Sequence, residues 1–159
     1  MDNETSRIAY DASVRAVQDQ AGVLDGLRSR AGTILAAAAL VSSFLGGQAL
    51  RGSTRLELLS LTTLAIAAFV LSAVLALLIL WPFEFRFSLS AAALINAVDE
   101  HEAKGGMSLG ELYRVLALQL EWRYDENRRM IRWLLWAFEA AIVSLILEVG
   151  LWFFVLWRK

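Results

Sequence analysis

Three stretches of this chain lack the polar interruptions that a water-facing helix shows. Residues 32–50 and 58–81 carry no charge, and 133–157 is apolar except for Glu139 and Glu148. They are 19, 24 and 25 residues long, and a helix needs roughly 20 residues to cross about 30 Å of hydrocarbon. The pattern predicts an all-α integral membrane protein with three transmembrane helices. Residues 1–31 then form a cytoplasmic amphipathic helix and 82–132 a cytoplasmic helical hairpin, the two together making a helical bundle.

The polar segments have patterns of their own. Tyr10, Val14, Val17, Ala21 and Leu24 recur at alternating spacings of four and three, a heptad seam. It serves either as an oligomer seam between subunits or as a strip packed on the chain's own connector. Pro82, the only proline, stops the second span at its end without breaking it. The alternating Phe83–Phe87 run has no partner strand and reads as an interfacial elbow. A connector helix is expected from Ser88 to Ala103, with a turn at Gly105–Gly106. Ser108 followed by Glu111 is a capping box that starts the next helix. No proline follows it, so the third span is expected to end one helix of about 50 residues, reaching roughly 35 Å into the cytoplasm.

Composition agrees. The chain is 58% hydrophobic with a mean hydropathy of +0.54, too apolar for a soluble domain of 159 residues. A net charge of −1 gives no electrostatic footprint for direct nucleic-acid binding. The first 30 residues are polar and acidic rather than a basic start to an apolar segment, so the first span is expected to stay as an anchor. Lysine and arginine set the orientation. Four lie in 1–31 and seven in 82–132, against two in 51–57 and two in the tail. The positive-inside rule places the N-terminus and the connector in the cytoplasm of a multi-pass inner-membrane protein. Trp81, Trp133, Trp136 and Trp157 fall at span ends, as in an aromatic belt.

Enzyme signatures are missing: no phosphate loop, no His-Glu-x-x-His pair and no Gly-x-Ser-x-Gly elbow occurs. His101 is the single histidine and there is no cysteine, so neither a metal nor another cofactor is expected. The candidate residues are the polar and small ones inside the spans. Ala140, Ser144 and Glu148 are spaced by four, which predicts a pore-lining or helix-packing face, with Glu139 pointing the opposite way. Ala38, Ser42 and Gly46, and beside them Ala39, Ser43 and Gly47, make two small-residue rows suited to helix contact. A carboxyl this deep asks for a role. Three remain open: protonated and hydrogen-bonded to Ser42, Ser43, Thr62 or Thr63 as structural glue; one member of an acidic ring on an oligomeric axis; or a proton or sodium carrier site.

The stretch Asp25–Gly32 running into a small-residue span, together with Glu148 followed by Trp152, resembles small bacterial membrane effectors of antiphage systems, the Pycsar and SLATT types. The likeness covers residues 20–50 and 125–157. It implies a homo-oligomer in membrane lipid that acts as a regulated pore or membrane-disrupting defence effector when a cytoplasmic protein or nucleotide signal arrives. This chain has no evident nucleotide-sensing domain, which leaves the trigger open. The alternative expectation is a non-conducting accessory or scaffold subunit that docks a partner through its cytoplasmic helices.

Overall fold

The computed structural model describes residues 3–50, 56–83, 95 and 108–158. Among these the fold is all-α. Helix α1 spans Asn3–Val41 and runs into a π-helical segment, Ser42–Gly46. Helix α2 is Gly47–Leu50, α3 is Leu56–Leu80, and α4 is Leu109–Trp157. Three helical stretches, Asn3–Gly46, Ser60–Leu80 and Leu109–Trp157, are long and apolar enough to cross a membrane. The expected elbow at Phe83–Phe87 is described only at Phe83. Apart from Ile95, the helix from Ser88 to Ala103, the Gly105–Gly106 turn and His101 lie outside the described residues.

Helix ends follow the local chemistry. Glu111 N donates to Ser108 Oγ at 3.3 Å, and Ser108 N donates back to Glu111 Oε2 at 3.0 Å. This reciprocal capping box satisfies donors that the first turn of α4 would otherwise leave open. Ser108→Ala is expected to cost about 1 kcal/mol, read as a lower thermal midpoint with fraying at the start of α4. From there α4 continues for 49 residues because neither proline nor a glycine pair interrupts it. Helix α3 stops at Leu80. Trp81 N closes a tight turn onto Leu78 O at 3.3 Å, and Pro82 has no N–H to extend the ladder.

The chain divides into two compact units. The first comprises Met1–Leu24 and Phe83–Ile131. Within it, the first part of α1 packs alongside the first part of α4. Tyr10 meets Tyr113 with ring centroids 5.6 Å apart, and Gln20 Nε2 donates to Tyr124 O at 3.0 Å. Val17 and Leu24 are fully buried, Leu116 and Leu120 are buried, and Val14 is half-buried. The Tyr10–Val14–Val17–Leu24 row is thus occupied by the chain's own helix. Of the two roles expected for the strip, packing on the chain's own connector is the one these contacts match: a two-heptad strip pairs with whatever apolar face lies nearest, and α4 supplies one.

The second unit comprises Asp25–Pro82 and Arg132–Lys159. Its interior mixes small and large side chains: Ala38, Ala65, Ala76 and Ala141 are completely buried, and so are Ile79, Leu134 and Val155, with Trp152 1% exposed. Many other large apolar side chains point outward, among them Leu40, 71% exposed, and Phe44, 69% exposed. An outer surface this apolar is not that of a water-soluble domain. The buried alanines suit helices that gain by close backbone approach in an apolar solvent.

Side-chain contacts fix the register of this unit. Ser42 meets Glu148 and Gly46 meets Trp152 at the same sequence offset, so α1 with its π segment runs parallel to α4. Ser72 meets Ala141 and Ser144 meets Ala68, so α3 runs antiparallel to both. Arg28 Nη2 donates to Trp81 O at 3.4 Å, at the level where the same register puts Arg132 to Leu134. The 21-residue step from Trp136 to Trp157 is about 31 Å of helix, close to the thickness of a bilayer core. Both indoles are exposed, 73% and 82%.

Candidate functional site

The site sits where the π segment crosses the inward stripe of α4. That stripe is Leu134, Ala137, Ala141, Ser144, Glu148, Trp152 and Val155, all buried. Steps of three and four hold these side chains on one line. A run of fours drifts by about 40° per step. The expected Ala140–Ser144–Glu148 face is therefore corrected at one end, because Ala141 takes the inward position and Ala140 is exposed. Glu139 is exposed as well, pointing away from Glu148 as its spacing predicts.

On the facing helix, the π turn decides which small residues point in. A π segment closes i→i+5 rings instead of i→i+4, which brings residues four apart closer to a line. Ser42 and Gly46 face the interior, whereas Ser43 and Gly47 are exposed. One of the two small-residue rows packs within the chain and the other stays outside.

Glu148 is 0% exposed. Its Oε1 accepts a hydrogen bond from Ser42 Oγ at 2.5 Å, and its Oε2 is buried with no partner. One turn on, Trp152 is 1% exposed. Its indole Nε1 is also buried without a partner. It lies near the same carboxyl but misses hydrogen-bond geometry. Glu148 stands 12 residues from Trp136 and 9 from Trp157, about 18 and 14 Å along the helix, so it is close to the middle of the apolar stretch.

Around this pair the unit is tied by hydroxyls. Ser144 Oγ donates to Ala68 O at 2.8 Å, and Ser72 Oγ to Ala141 O at 3.3 Å. Each side chain satisfies itself on a neighbouring backbone, which an apolar interior requires. Gly46 provides room for Trp152: a Cβ there would sit 3.2 Å from the indole Cζ2, while one at Gly47 would meet nothing within 4 Å. Gly46→Leu is therefore expected to cost about 1–3 kcal/mol by overpacking, with Gly47→Leu close to neutral. Thermal midpoints of the two variants in detergent check this contrast.

The structure buries Glu148, Ser144 and Gly46 and leaves Ser42 half-buried against Glu148. The sequence pattern missed Trp152 as the main packing partner, although the i+4 spacing from Glu148 carried that signal. It also missed Ser72 and the π turn. Among the described residues, no group of three His, Cys, Asp or Glu side chains comes together to hold a metal ion. Comparison with known families, curated proteins and solved structures finds no match, so the reading of this site rests on its own residues.

Proposed function

We propose that this chain is a multi-pass inner-membrane protein with a cytoplasmic N-terminus and a cytoplasmic helical bundle, and that it works as a homo-oligomeric, regulated pore or membrane-disrupting defence effector. The observation that carries the reading is the Glu148–Ser42 bond at a π turn, deep in an apolar helix trio. Ionisable side chains at such depth are costly and mark function by default, and π turns concentrate at functional sites. Full burial inside one protomer argues against Glu148 lining a shared axis. Its role is that of a lock holding the first and third spans together in the resting state. The wall and contacts of an assembly then come from the outward faces, with Ala39, Ser43 and Gly47 on one side and Glu139 and Ala140 on another. The likeness to Pycsar- and SLATT-type effectors supports the same reading.

Reconstitution into liposomes tests it. Ion flux from an assembly of four or more copies, measured beside its native mass, is the expected result. A strictly monomeric protein that passes no ions under any membrane potential removes the pore.

A non-conducting accessory subunit is the second reading. It draws on the first unit, where Leu118 and Trp122 are exposed one turn apart. A cleft of about 310 Å³ there is lined by Ala12, Ser13, Ala16, Leu120, Glu121 and Tyr124. Such a surface suits a cytoplasmic protein partner.

A further inference from the structure

The sequence under the lock is degenerate to a shift of one residue. Ala38 and Ser42 are followed by Ala39 and Ser43, within the run Ala36-Ala-Ala-Ala-Leu-Val-Ser-Ser43. The π segment at Ser42–Gly46 holds one residue more than a regular helix would place there. Such an excess can sit at a different turn without unwinding the helix. Moving it one turn toward the N-terminus, into Ala36–Leu40, rotates the intervening turn by about 100° and advances it by about 1.5 Å. Every residue in that turn then takes the place of its predecessor.

From these observations we infer that the π segment is a sliding element with two registers, in which Ser43 replaces Ser42 on Glu148 and Ala39 replaces Ala38 in the buried position. Ala38 is completely buried and Ala39 exposed, so the exchange leaves the interior chemically unchanged at that point. Gly46 already lies beyond the moving turn and keeps its contact with Trp152. The exposed places of Ala39 and Leu40 receive Leu40 and Val41, which an apolar surface accepts. The one change of character is at Val41, half-buried against the Trp152 cluster, whose place Ser42 takes. That substitution favours the observed register and makes the second a minor state. Sliding draws the Ser43 hydroxyl from the outer face to the inside, and so alters the surface offered to a neighbouring copy. This deepens the proposed lock, because one carboxyl holds two positions of the first span. Its test does not use ion flux, so it stands or falls separately from the pore.

Serine-to-alanine variants in detergent discriminate. Sliding predicts that Ser42→Ala and Ser43→Ala each lower the thermal midpoint by less than about 2 °C, since the other serine serves, while the double variant loses about 5 °C or more. A fixed helix predicts that Ser42→Ala alone falls as far as the double variant, and that result overturns the inference.

Discussion

Trp152→Ala is expected to cost about 3–5 kcal/mol and to lower the thermal midpoint in detergent by about 10 °C. Trp152 is the largest fully buried side chain among the described residues. It forms one cluster with Ala65 and Val155, against which Val41, Leu45 and Leu61 pack, and its ring lies on the Gly46 backbone. In an apolar solvent no hydrophobic drive compensates a gap between helices, so the lost dispersion contacts are felt directly. The cavity would also open beside Glu148 Oε2, which has no partner already. Trp157→Ala is the matched control. That side chain is 82% exposed, and its loss should leave the midpoint nearly unchanged. Equal effects of the two substitutions would show that Trp152 does not hold the helices together.

Loss of the proposed lock is expected to carry the largest functional effect. Removing both partners, in Glu148→Leu with Ser42→Ala, replaces a buried polar pair by apolar groups. Such exchanges are close to neutral for folding, so the variant should assemble with a midpoint near that of the parent. Its resting state, however, no longer has the bond that favours it. A bond worth about 1–3 kcal/mol biases two states by roughly fivefold to a hundredfold or more. Basal ion flux in liposomes should rise by a factor of that order, with toxicity on expression. Unchanged flux from a well-folded double variant would reduce the pair to packing. Glu148→Gln keeps the shape and an acceptor for Ser42, and is expected to fall between the two.

Much of this was legible in the chain. Length and hydropathy gave three helices of spanning size, and the Ser108–Glu111 box together with the absence of later proline gave a 49-residue helix nearly to the residue. Glu148 was legible because a carboxyl in a long apolar run has few reasons to exist. Its partner was one of four hydroxyls and could not be chosen, since that depends on helix register, which only packing sets. Ala140 was taken for Ala141 because a run of fours ignores the drift that a three-and-four stripe corrects. The heptad seam at Tyr10 to Leu24 was read correctly as a seam. Whether its partner was the same chain or another copy lay outside what periodicity can tell. The π turn has no compositional signature of its own. The doubled Ala, Ser and Gly residues around it become meaningful only once the turn is seen.

The proposed function depends on three crossings that put residues 11 and 158 on opposite sides of a bilayer. Because the chain has no cysteine, Asp11→Cys and Arg158→Cys place one thiol near each end, both at exposed positions. In intact spheroplasts, a membrane-impermeant maleimide should label Arg158→Cys and reach Asp11→Cys only after lysis. Labelling of both thiols, or of neither, before lysis would mean an even number of crossings and would contradict the account.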